Sequence, residues 1–170
     1  MNRPAGFVSA AIVFVIDQLV KFWVTGTLGI DHLGAYREIV SFFDLRFVPN
    51  IGVSLGLLPA GSPAMRWAIV ALTAAIAIGV LVWMLREPNK QDQLALGLVL
   101  GGAVGNILDR IRFGYVVDFA DLHIGSWRPF LVFNVADAAI TIGVLILLVR
   151  ALLVRDKPRA GRDPVENINA

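Results

Sequence analysis

Asp17 and Lys21 interrupt an apolar stretch from Gly6 to Val24, Asn106, Asp109 and Arg110 close a second, and Asn134 and Asp137 open a third. Asp118 stands between Val117 and Phe119. An ionisable side chain at membrane depth is costly unless paired or wetted, so each of these is a candidate functional group. Spacing pairs most of them. Asp17 and Lys21 are four apart on one helical face, as are Asn106 and Arg110, with Asp109 three beyond Asn106. The plain reading of Asp17 with Lys21 is a self-neutralising ion pair that orients its helix, and Asp109 with Arg110 reads as scaffold. Asp118 and Asp137 are left without a cationic partner in their own helix or strand. Two carboxylates held together in a low-dielectric pocket share a proton. One is then a base that can deprotonate water, and the other an acid that can protonate a carbonyl oxygen or a leaving amine. That is the equipment of an aspartic protease and equally of a proton relay, and spacing alone does not choose between them.

The elements that carry these residues are membrane helices. Of 170 residues 57% are hydrophobic, not counting 16 glycines, and only 16% are charged, against about 25% in an ordinary soluble domain. Disorder, collagen-like repetition and a basic nucleic-acid-binding domain are excluded by those figures and by a formal charge of only +2, so no nucleic-acid partner is expected. With no cysteine there is no thiol nucleophile and no Cys-based metal site. His32 and His123 are each too far along the chain from a second His to suggest zinc and read as surface or interfacial residues, so no metal or cofactor is expected.

A crossing needs roughly 17 to 25 mainly apolar helical residues. Trp67 to Leu85 supplies one without a charge, while Gly6–Val24, Gln93–Leu108 and Val135–Val154 supply three interrupted ones. The expectation is an α-helical integral membrane protein of four transmembrane helices, the third short enough to pass for a buried soluble helix. Pro88 and Asn89 break the chain between the second and third. Gly97, Gly101 and Gly105 form a small-residue stripe that lets another helix approach the third closely. Arg3, Arg86, Lys90 and five cations from Arg150 to Arg162 fall on one side, so both termini are predicted cytoplasmic and the polar cluster lies near the outer face. A cleaved signal peptide is the rival reading of the first segment, but Asp17 and Lys21 stand where its apolar core should continue. Phe43, Leu45 and Phe47 alternate with Asp44 and Arg46, and Tyr115, Val117 and Phe119 with Val116, Asp118 and Ala120. That period predicts strands around 42–48 and 114–122 and a small extracytoplasmic β-sheet resting on the helix ends, with irregular surface loops as the alternative. Residues 1–154 read as a single membrane-embedded domain. Residues 155–170, rich in charge with Pro158, Gly161 and Pro164, read as a disordered cytoplasmic tail.

Five strings resolve the ambiguity: Asp17-Gln18-Leu19-Val20-Lys21, Asn50-Ile51-Gly52, Gly101 to Arg110, Val116-Val117-Asp118-Phe119 and Phe133 to Ile140. In order and context the chain resembles the lipoprotein signal peptidase family, signal peptidase II, over about residues 6 to 154. The resemblance implies a multi-pass aspartic endopeptidase of the bacterial inner membrane. It removes the signal peptide of diacylglyceryl-modified prolipoproteins by cutting before the lipidated cysteine, with membrane lipids as its surroundings. The family's catalytic pair maps onto Asp118 and Asp137. Its substrate-binding and dyad-supporting residues map onto Asp17, Lys21, Asn50, Gly52, Asn106, Asp109, Arg110, Asn134 and Ala136. One departure is visible: after Asn50 the family runs through small residues to a Phe, where this chain has Val53-Ser54-Leu55-Gly56. Two other functions compete. A proton-coupled carrier needs polar groups continuing inward, yet the second helix offers only Thr73 and the fourth only Thr141 in its upper part. A pure scaffold leaves Asp118 and Asp137 unpartnered in lipid, which is expensive.

Overall fold

The computed structural model describes residues 4–52 and 62–153. The tail from 155 to 170, the domain limit at 154 and the Val53-Ser54-Leu55-Gly56 departure lie outside the described residues. The described residues form four helices: α1 (Pro4–Phe22), α2 (Pro63–Arg86), α3 (Lys90–Phe113) and α4 (Val135–Leu153). Each is long and apolar enough to cross a membrane. Their ends follow local chemistry. Ser62 caps α2 by accepting from Met65 N–H at 3.2 Å, with Pro63 in the first turn. Asn89 caps α3 by accepting from Gln91 N–H at 2.9 Å, and Gly114 ends it in the left-handed region at φ 88°. α1 continues through a wider π-type turn, Trp23–Thr27.

The third helix is longer than its uncharged stretch predicts, at 24 residues, because it is the hub rather than a lipid-facing span. It packs against α1, α2 and α4. More than half of its apolar window is buried, 56% against 17% for α2 and for α4, so it needs less hydropathy and can carry charge at its ends. The glycine stripe sets the spacing. A Cβ on Gly97 would lie 2.3 Å from Gly6 O, and one on Gly101 2.4 Å from Ala10 O, both on α1. On the adjacent face a Cβ on Gly102 would lie 2.5 Å from Ala136 O on α4. Only glycine allows backbones this close.

A three-stranded antiparallel sheet, order β1-β2-β3, sits where α1 and α3 end and α2 and α4 begin: β1 (Tyr36–Val40), β2 (Phe43–Asn50) and β3 (Val116–Leu122). β2 and β3 match the expected strands, whereas β1 is an additional, fully exposed strand whose residues show no buried face to predict it from. Leu45, Phe47, Val117, Phe119 and Ala120 close over Val24 and Ile30. β3 is buried on both faces instead of one. Its second edge is covered as well: Phe119 and Ala120 N–H donate to Phe133 O at 3.1 and 2.8 Å, and Phe133 N–H donates back to Ala120 O at 3.1 Å. That pairing holds the entry to α4 against the strand that carries Asp118.

Candidate active site

The sequence Asn134-Val135-Ala136-Asp137 forms a reciprocal cap at the start of α4. Asp137 N–H donates to Asn134 Oδ1 at 2.9 Å, and Asn134 N–H donates to Asp137 Oδ2 at 3.3 Å. The N–H between them, on Ala136, donates to Asp17 Oδ1 of α1 at 2.9 Å. Asp137 therefore owes its position to its own helix end, and that end is tied to α1 by a buried carboxylate.

Lys21 holds the neighbouring elements. An ammonium has three N–H donors and no acceptor, and here three acceptors surround it: Asp17 Oδ2 at 2.8 Å, Asp109 Oδ2 at 2.7 Å and Asn106 Oδ1 at 3.2 Å. Asp109 in turn accepts from Val117 N–H at 3.2 Å, fixing β3 beside α3. The expected ion pair of Asp17 with Lys21 is thus one arm of a wider cluster joining α1, α3, β3 and α4. Gln18, to which the sequence reading gave no role, completes it by donating to Asp17 Oδ2 at 3.1 Å and to Asp109 Oδ1 at 3.0 Å. Its place between Asp17 and Lys21 in the first string was the only available signal.

Three asparagine amides then aim at the two remaining acids. Asn134 Nδ2 donates to Asp118 Oδ1 at 2.7 Å, and Asn50 Nδ2 to Asp118 Oδ2 at 3.0 Å. Asn106 Nδ2 donates to Asp137 Oδ1 at 2.8 Å. Surrounding donors dictate which way each amide points. Lys21 can only donate, so it claims Asn106 Oδ1 and turns Nδ2 toward Asp137. Gly52 N–H claims Asn50 Oδ1 at 3.0 Å and turns Nδ2 toward Asp118. Gly52 has φ 88°, and a Cβ there would lie 2.6 Å from Ile69 Cδ1, so glycine is required.

Burial, reinforced by the negative charge of Asp137, pushes the Asp118 carboxyl from the usual 3.8 up to about 7, against the opposing pull of Asn50, Asn134 and Lys21. Near neutral pH the Asp118 carboxyl therefore holds its proton part of the time. The Arg110 guanidinium lies within electrostatic reach of Asp137, Asp118 and Asp109, and its buried Nε has no hydrogen-bond partner among the described residues. Asp137 also borders an apolar cavity of about 450 Å³ walled by Leu122, Phe130, Leu131, Phe133, Ala138 and Ile142. Thr141 at its edge spends its hydroxyl on Asp137 O at 2.8 Å. The site thus holds two acids linked through Asn134, one of them at the mouth of an apolar trough.

Asp17, Lys21, Asn50, Gly52, Asn106, Asp109, Asn134, Ala136, Asp118 and Asp137 all enter one hydrogen-bonded network. Arg110 adjoins it by charge alone. Two further acids, Asp44 and Asp121, escaped the pairing argument. Asp121 is held by Arg46 and Arg128, and Asp44 faces His123 at 3.2 Å. His32 is exposed as expected, but His123 is mostly covered rather than a surface residue, because β2 and β3 bring Asp44 beside it. Among the described residues no group of three or more His, Cys, Asp or Glu is arranged to hold a metal ion.

The profile of a family described as Signal peptidase (SPase) II matches residues 9–153. A lipoprotein signal peptidase of Rhizorhabdus wittichii is 58% identical over 170 residues, covering 100% of this chain and 96% of its own. One from Sphingopyxis alaskensis is 53% identical over 152 residues, covering 89% and 87%. In three dimensions the chain is similar to a bacterial membrane enzyme solved by the in meso method at 1.9 Å resolution. The TM-score is 0.75 at 30% identity, covering 89% of this chain and 94% of that one. Four membrane-crossing helices, a small sheet at one end and a family match over most of its length make this chain a membrane peptidase that belongs to the signal peptidase II family.

Proposed function

We propose that Asp118 and Asp137 are the catalytic acids of an aspartic endopeptidase that cuts diacylglyceryl-modified prolipoproteins just before the lipidated cysteine. Residues 1–154 form its membrane domain, in a bacterial inner membrane with both termini cytoplasmic and the site near the outer face. The observation that carries this reading is the shared bracket on the two acids: Asn134 bonds both, through its side chain to Asp118 and through its backbone to Asp137. Asp118, the more buried and with its carboxyl raised, enters the reaction protonated. Asp137, at the cavity mouth, is the base.

Asp137 takes a proton from water as the water oxygen forms a bond to the scissile carbonyl carbon, while Asp118 gives its proton to the carbonyl oxygen. The resulting neutral diol collapses: Asp118 recovers its proton, Asp137 passes its own to the departing nitrogen, and the C–N bond breaks. Both acids return to their starting states. The acyl chains of the substrate keep the bond at the depth of the trough, where holding the reactants in place lowers the barrier. Asp17, Lys21, Gln18, Asn106, Asn50 and Asn134 hold the acids rather than react. A carrier finds no support, since Thr73 and Thr141 both spend their hydroxyls on backbone carbonyls of their own helices.

The test is cleavage of a diacylglyceryl precursor peptide by the detergent-solubilised chain, followed by mass. Asp118→Asn and Asp137→Asn should each lower the rate by about a thousandfold or more with helical content unchanged. Full activity in either variant removes the mechanism.

A further inference from the structure

The segment between β3 and α4 carries a charged cluster that the mechanism leaves unused. Asp121, fully buried at the end of β3, has its Oδ2 3.0 Å from Arg128 Nε and 3.2 Å from Arg46 Nε of β2. Arg128 follows a tight turn in which Ile124 and Trp127 exchange backbone hydrogen bonds of 2.9 and 3.1 Å. A few residues on, Phe133 is bonded into the edge of β3. The stretch from 128 to 133 is therefore pinned at both ends. Between the pins, Phe130 and Leu131 stand on the wall of the apolar cavity that ends at Asp137. They are 62% and 90% exposed. A leucine that open, on the rim of an apolar trough, gains burial when the trough fills.

We propose that Arg128 is a positioning residue for substrate binding: through its ion pair with Asp121 it holds Leu131 and Phe130 where they contact the apolar part of the substrate beside the scissile bond. The inference deepens the peptidase reading and rests on it. An exposed ion pair contributes little, but Asp121 is buried, and a buried carboxylate strongly favours keeping its cations. Two arginines share the task differently. Arg46 lies within the sheet and neutralises Asp121 there, so the fold tolerates loss of Arg128. Arg128 joins the same carboxylate to the loop, so its loss frees the wall and leaves the core. Neither Arg128 nor Leu131 is hydrogen-bonded to Asp118 or Asp137, so the effect falls on KM rather than on kcat.

The experiment measures KM and kcat on the lipidated precursor peptide for the full chain and for Arg128→Ala, Leu131→Ala, the double variant and Arg128→Lys. Arg128→Ala and Leu131→Ala should each raise KM by about five- to tenfold, the loss of one partly buried apolar contact, with kcat within about twofold. The double variant should be no worse than the worse single, because both remove the same contact. Arg128→Lys should recover most of the loss. An unchanged KM in Leu131→Ala, additive effects in the double variant, or a fall in kcat at constant KM overturns the assignment. If the unsubstituted chain leaves the peptide intact, the peptidase reading fails first and takes this one with it.

Discussion

Asn134 Nδ2 lies 2.7 Å from Asp118 Oδ1, and the same asparagine caps the helix that presents Asp137. One residue thus sets both the local geometry of one acid and the contact of the other. Asp118 and Asp137 belong to different elements, a strand edge and a helix start, yet a single side chain spans the gap.

Asn134→Ala removes the cap and the bridge together. Loss of the cap should cost about 1 kcal/mol of stability. Activity should fall much further, about a hundredfold, because Asp118 loses a donor and Asp137 loses its frame. Thermal melting and precursor cleavage on the same preparation separate the two effects.

The pH dependence follows from Asp118. Its carboxyl is raised in the fold to about 7 from 3.8, so the folded chain holds a proton that the unfolded chain has already released between those values. Stability attributable to this group is intact below about 4 and declines as pH rises to about 7, by at most about 4 kcal/mol. Asp118→Asn should abolish that slope, and its melting temperature should exceed that of the parent chain most clearly above pH 7. Cleavage should decline as pH rises through about 7, when Asp118 loses the proton that the proposed mechanism gives to the carbonyl. A cleavage rate still climbing at pH 9 would contradict the assigned roles.

Lys21→Met leaves Asp17 and Asp109 buried with no ammonium between them. Stranding buried carboxylates in this way should cost about 3 to 5 kcal/mol. Adding Asp17→Asn to the same chain should recover part of it, since only one of the two acids is then left charged. Melting in detergent at pH 8 reads both, and equal losses in the single and double variants would argue against the cluster's electrostatic role.

Gly105→Ala tests control at a distance. A Cβ there would meet Asp17 Oδ2 at 2.7 Å, forcing the carboxylate away from Lys21 or Ala136 N–H. The α4 entry should shift and cleavage should fall about tenfold or more, although the residue touches neither Asp118 nor Asp137. Gly79→Ala, at a position with open space around it on α2, is the control and should leave cleavage unchanged.

Much of this arrangement was legible because the chemistry is local. Hydropathy marked the helices, the glycine stripe marked the face of α3 that receives α1, and period two marked β2 and β3. Asn134 and Asp137 even carry their cap in their spacing. Long-range pairing was not legible. The covering of the β3 edge by Phe133 comes from residues with no pattern of their own, and it holds the chain entering α4 against the strand that carries Asp118. The length of α3 was underestimated because Asp92 and Asp109 look like ends until their partners, Arg150 and Lys21, arrive from other helices. β1 escaped because no face of it is buried.

The orientation of the Asn106 amide has one more consequence. Its oxygen is committed to an ammonium and its nitrogen to a carboxylate, so it conveys polarity across the bundle in one direction only. An aspartate at 106 would be almost the same size and would still satisfy Lys21, yet it would present Asp137 with repulsion in place of a donor. At this position shape is cheap to imitate and handedness of charge is not.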